Sequence, residues 1–138
     1  MGAIAQTETW VTQDVPGPSR THTVALWGWL THRGIDEMLR RFELALENDG
    51  GIEAVVIDAL ALDGFDPGAP ARVIHWIGAH AGRVRAIVVV THSLVLLSTA
   101  RAAALMLPTT IVEVASERGD AQQRALEALS APPSRTPR

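Results

Sequence analysis

The sequence predicts an α/β fold: a mixed, mostly parallel sheet of four to five strands with an initial antiparallel hairpin and about four helices, ordered β-β-α-β-α-β-α-β-α. Three observations predict it. Two apolar runs, IEAVVIDAL (52–60) and VRAIVVVTH (84–92), have the composition of strands covered on both faces. The segments that follow them space their apolar residues as helices do. Strands alternating with helices need crossover connections, and crossovers make neighbouring strands parallel. At 138 residues, 47% hydrophobic and 20% charged, the chain is long enough for one domain with its own core.

In order, TETWVTQDV (7–15) alternates and reads as a strand with Trp10 inward. PGPSR (16–20) is a turn, and HTVALWGWL (22–30) is the second strand of the hairpin. RGIDEMLRRFELALENDGG (33–51) is a helix, with Ile35, Met38, Leu39, Phe42, Ala45 and Leu46 on one face. Asp36–Arg40 and Glu37–Arg41 form i,i+4 pairs on the other face, each worth a few tenths of a kcal/mol. After strand 52–60, APARVIHWIGAHAG (69–82) is a helix that buries Val73, Trp76 and Ile77. After strand 84–92, Ser93 is placed to cap helix 94–107, which Pro108 stops. TTIVEVA (109–115) is a strand of β-branched residues, and ERGDAQQRALEAL (117–129) is the last helix. The domain is expected over 7–129, between a flexible N-terminus (1–6) and a tail (130–138) of disordered composition.

Composition removes several functions. A net charge of −3 does not suit nucleic acid, and four Trp and two Phe without Tyr make a poor base-stacking platform. There is no Cys, hence no thiol nucleophile or Cys-based metal site. All 12 basic residues are Arg, so the P-loop lysine and Schiff-base chemistry are absent. MGAIAQTETW lacks the pattern of a signal peptide, and LVLLSTARAAALMLP, broken by Arg101, is too short to span a bilayer. A cytoplasmic protein, of bacterial origin from its Arg- and Ala-rich composition, is expected.

DGFDPGAPAR (63–72) is the stretch most like a working part. It lacks the Walker and G-x-G-x-x-G patterns, and Asp63 and Asp66 would repel a phosphate. Asp66-Pro67 reads as a helix start, with Asp66 as N-cap and Pro67 in the first helical position, rather than as part of a catalytic carboxylate pair. Asp58 and Thr91 end successive strands as in a phospho-receiver, but that chemistry also needs a Lys. His75 and His80 lie about 140° apart around a helix, too far to share a metal ion. Ser93 is not in a nucleophile elbow. No catalytic residue, metal ligand or cofactor is expected.

Helix 94–107 is anomalous. Leu94, Val95, Leu96, Leu97, Leu105, Met106 and Leu107 cover most of its circumference, leaving Ser98 and Arg101 as the polar stripe. A helix apolar all round is expected to be covered all round, by neighbouring helices, by the chain's own ends or by a second copy or partner. Leu94, Val95, Leu97, Arg101 and Leu105 are the candidate self-association residues. Trp27 and Trp29 share one sheet face: core if a helix covers it, a sticky patch if none does.

The order of elements resembles the STAS domain, the fold of bacterial anti-sigma-factor antagonists. Two local features support the resemblance. In the family the second strand ends in a Gly, an acid and a Leu; here stand Gly28, Trp29 and Leu30, with Trp29 in the acid's place. The family's third strand ends in an Asp, followed eight residues on by a second Asp that opens the switch loop; Asp58 and Asp66 have that separation. In phospho-regulated members the next residue is the modified Ser or Thr, whereas here it is Pro67, and 59–90 contains no Ser, Thr or Tyr. The resemblance implies a non-enzymatic regulatory or scaffolding protein that binds protein partners through Asp63, Phe65, Asp66, Pro67, Gly68 and Arg72, without phosphorylation at the family position. It extends to looser, lipid-carrier-related sheets, which keeps a small apolar-ligand or lipid-binding module as the alternative.

Overall fold

A computed structural model describes residues 11–15, 20–48 and 53–130. The elements are β1 (Val11–Val15), β2 (Thr21–Leu30), α1 (His32–Asn48), β3 (Ala54–Phe65), α2 (Ala69–Ala79), β4 (Ala86–Val90), α3 (Leu94–Met106), β5 (Ile111–Ala115) and α4 (Arg118–Ser130). The sheet runs β1-β2-β3-β4-β5, with β2 to β5 parallel. β1 pairs antiparallel with β2, from Val11 opposite Trp27 to Val15 opposite Thr23. Trp10, the turn over 16–19, residues 49–52 and the tail from 131 lie outside the described residues.

β3 and β4 read as continuous apolar runs because both sheet faces are covered. Val55, Ile57 and Ile87 join Leu26, Met38, Phe42 and Ile77 in a core under α1, α2 and α3. The alternate residues Ala54, Val56, Ala86, Val88 and Val90 pack under Ala121, Ala125 and Leu129 of α4. The alanines let α4 lie close to the strands. Of the residues expected inward on α2, Trp76 and Ile77 are buried and Val73 is half-buried.

Two local expectations are corrected. β3 does not stop at residue 60 but stays paired with β2 through Phe65, by way of two register shifts. Asp63 and Gly64 are turn-formers, but here the sheet absorbs them: Asp63 is the extra residue between the pairs Gly28–Leu62 and Trp29–Gly64, and Gly28 has a φ of 81° that only glycine adopts freely. Asp36 does not pair with Arg40; it reaches across to Arg72 on α2, and Arg40 joins Arg41 on Glu37 at 2.8 and 3.1 Å. Within the described residues, α3 is covered on one side. Its inward residues are small, Ala100 and Ala103, while Leu94 and Leu105 remain 76% and 86% exposed. Ser93 does cap α3, its Oγ accepting the Leu96 N–H at 3.3 Å.

Candidate functional site

The extension of β2 and β3 at the C-terminal edge of the sheet builds the site. Trp29 lies across Gly64 so closely that a Cβ there would stand 2.4 Å from the indole. Glycine is therefore required for the ring to lie flat. The indole Nε1 donates to Asp66 Oδ1 at 2.9 Å, and the His32 backbone N–H donates to Asp66 Oδ2 at 3.1 Å. The His32 ring Nε2 is 3.9 Å from the same oxygen. The Asp66 N–H in turn donates to the Leu30 carbonyl at 2.9 Å. The Trp29 hydrogen bond, the His32 N–H and the His32 charge hold the Asp66 carboxyl below its usual value, outweighing the opposing effect of burial.

Asp66 is thus not the N-cap of α2. That position belongs to Gly68, with no side-chain cap, and Pro70 rather than Pro67 occupies the first turn. The carboxylate instead takes a free N–H at the start of α1, where the helix dipole favours negative charge. One side chain ties the loop after β3 to the end of β2 and the beginning of α1. Gly68 lets the loop approach the His32 ring, since a Cβ there would be 3.3 Å from it. The Arg72–Asp36 ion pair holds α2 to α1.

Phe65, Asp66, Pro67, Gly68 and Arg72 therefore gather around the start of α1, with Phe65 half-buried and Pro67 exposed. Asp63 is exposed on the irregular part of β3. Sequence reasoning missed Trp29, His32 and Gly64 as parts of this site. The signal was present in Trp29, which stands in the place of an acid and hydrogen-bonds one. Trp27 and Trp29 are 38% and 45% exposed: α4 reaches Thr23, through a 3.1 Å bond from Gln122, but leaves the two indoles open to solvent.

The other candidates have structural partners. Asp58 is inside β3 rather than at its end, and pairs with Arg118 Nε at 2.8 Å while accepting the Leu60 N–H at 3.1 Å. Thr91 Oγ1 accepts the Ser93 N–H at 3.0 Å. His80 Nδ1 lies 2.8 Å from the Trp76 carbonyl, and His92 Nε2 lies 3.1 Å from that of Ser116. Among the described residues no three His, Asp or Glu side chains stand together as metal ligands.

Beside the loop, a half-open cavity of about 90 Å³ lies between α2, α3 and the sheet. Its walls include Ile57, Ile77, Ile87, Ala100, Ala103 and Leu107, and almost all are apolar. Leu62, Phe65 and Leu96 also line a neighbouring cleft of about 200 Å³ with Asp63, Thr91, His92 and Ser93. Cavity and cleft share Ala59, Leu62, Phe65 and Leu96 as walls.

This architecture defines a STAS-like α/β fold with a four-strand parallel sheet and four helices. The chain is similar to an uncharacterized protein of the DUF3478 family with a SpoIIAA-like fold from Shewanella loihica PV-4, at 18% identity and a TM-score of 0.63, over 84% of this chain and 93% of that one. It is also similar to the anti-sigma factor antagonist SpoIIAA in its unphosphorylated form (14% identity, TM-score 0.60, 83% and 96% covered). A third likeness is to an anti-sigma factor antagonist from Mycobacterium paratuberculosis (10% identity, TM-score 0.57, 86% and 96% covered). These likenesses support the parallel sheet and the helices and do not confirm the opening hairpin. No family model and no curated protein matches the chain. Among the described residues no helix is long and apolar enough to cross a membrane.

Proposed function

We propose that this chain is a non-enzymatic regulatory or scaffolding protein of the bacterial cytoplasm that acts by binding protein partners through the loop after β3. The observation that carries this reading is the locked position of Asp66. Two donors from β2 and α1 hold its carboxylate, and Pro67 follows where a phosphoacceptor hydroxyl stands in phospho-regulated relatives of the fold. Proline cannot receive a phosphate, so the charge change that would switch such a surface has no acceptor there. The loop then works as a constitutive platform, with Asp63, Phe65, Asp66, Pro67, Gly68 and Arg72 as the docking residues. Leu94, Val95, Leu97, Arg101 and Leu105 of α3 form a second surface, for self-association.

Affinity capture from the native host, with bound proteins quantified by mass spectrometry, tests the first surface. Partners recovered with the wild type and lost with Asp66→Arg, at unchanged circular dichroism, support it. A bound set indifferent to Asp66→Arg contradicts it. The cavity favours a second reading, a carrier of a small apolar ligand. Native mass spectrometry of freshly purified protein tests it, since a carrier retains ligand mass.

A further inference from the structure

The outward face of α3 has an unusual composition. The helix has 13 residues, no acid, and Arg101 as its one charge. Leu94, Val95, Ser98, Ala102, Leu105 and Met106 recur every three to four residues, forming a stripe about 18 Å long at 1.5 Å per residue. The four large side chains are 61–86% exposed. At on the order of 100 Å² of apolar surface per side chain, they offer about 300 Å². A standard interface covers about 800 Å² per partner, slightly more than half of it apolar. With Ile111 of β5, also exposed, the patch supplies most of the apolar area a reversible dimer needs.

We propose that two copies of this chain pack α3 against α3, antiparallel about a two-fold axis near Ala100, and that Met106 of each copy enters the apolar cavity between α2 and α3 of the other. This rests on the self-association reading of α3 and adds its geometry. In that register Met106 of one copy lies over Leu94 and Val95 of the other, beside Leu96 and Thr99, which line the cavity. A half-open apolar cavity of about 90 Å³ has room for the Cγ, Sδ and Cε of one Met. Methionine is unbranched and fills irregular gaps well. A two-fold contact is self-complementary, so in this arrangement each copy supplies both the knob and the hole. Arg101 lies near the middle of the stripe, and the axis brings its two copies into the same region. Their repulsion makes this dimer tighten with salt, whereas pairing with an acidic partner would weaken.

Sedimentation velocity on the full chain, from about 1 to 200 µM, tests the proposal. Wild type is expected to dimerise within that range, and several-fold more tightly at high than at low salt. Leu105→Glu is expected to be monomeric throughout with its thermal midpoint unchanged. Met106→Ala and the cavity-filling Ala103→Leu are each expected to weaken the dimer about tenfold. A wild type that stays monomeric at the top concentration overturns both this geometry and the self-association reading. A dimer that survives Leu105→Glu overturns the α3 geometry alone. A dimer broken by Leu105→Glu but indifferent to both Met106→Ala and Ala103→Leu overturns the seating of Met106, as does a native mass spectrum with an apolar small molecule bound in place of the second copy.

Discussion

Ala103 is 6% exposed and lines the cavity between α2, α3 and the sheet, so Ala103→Leu places three more carbons next to empty space. Burying three carbons returns at most about 2.4 kcal/mol, less about 0.5–1 kcal/mol for fixing the leucine rotamer. The expected gain is about 1–2 kcal/mol. Urea unfolding, at a concentration where the chain is monomeric, should show a higher midpoint with an unchanged slope, and the thermal midpoint should rise by a few degrees. Overpacking in a filled core costs about 1–3 kcal/mol. If Ala103→Leu destabilised the chain by that amount, and Ala103→Val destabilised it too, the reading that this apolar space can take a larger side chain would be refuted.

Further outcomes follow from the same contacts. Gly64→Ala pushes the indole of Trp29 off Asp66, so the Asp66 carboxyl should titrate nearer its ordinary value by NMR. In the wild type that pKa is lowered, so the stabilisation is fully present above the unfolded value and is lost as pH falls through the folded one. The Trp29–Asp66 bond should therefore persist on acidification to below about pH 4 and then break, with a change in Trp29 fluorescence absent from Trp29→Phe. Arg118→Ala leaves Asp58 buried without its cation; because Arg118 is itself partly exposed, the expected cost is about 1–3 kcal/mol in urea unfolding, largely restored by a second change, Asp58→Asn. Ser93→Ala removes the α3 cap and should cost about 1 kcal/mol by the same measurement.

The order of strands and helices was legible because burial leaves a periodic trace. The runs at 52–60 and 84–92 read as doubly covered strands, and the face of Ile35, Met38 and Phe42 reads as a core helix. What was not legible depends on contacts distant in sequence. Asp63 and Gly64 have turn chemistry, and only the partner strand β2 keeps them in the sheet. Asp66-Pro67 satisfies every local rule for a helix start, yet the carboxylate is engaged by Trp29, 37 residues away, and by α1. Local propensity cannot anticipate a competitor supplied by tertiary structure. The apolar character of α3 was legible in the sequence, but which of its residues face inward was not. Ala100 and Ala103 took the buried positions and Leu96 and Leu97 are half-buried, while Leu94 and Leu105 were left outside.

A fixed platform around Asp66 is best tested by the backbone order parameters of residues 63–72, from ¹⁵N relaxation in the wild type and in Trp29→Phe. Held by Trp29, His32 and Leu30, the wild-type segment should be as rigid as the strands, with S² of about 0.85, and should loosen when the indole N–H is removed. Values below about 0.6 in the wild type, or no change in Trp29→Phe, would contradict a platform locked by that hydrogen bond.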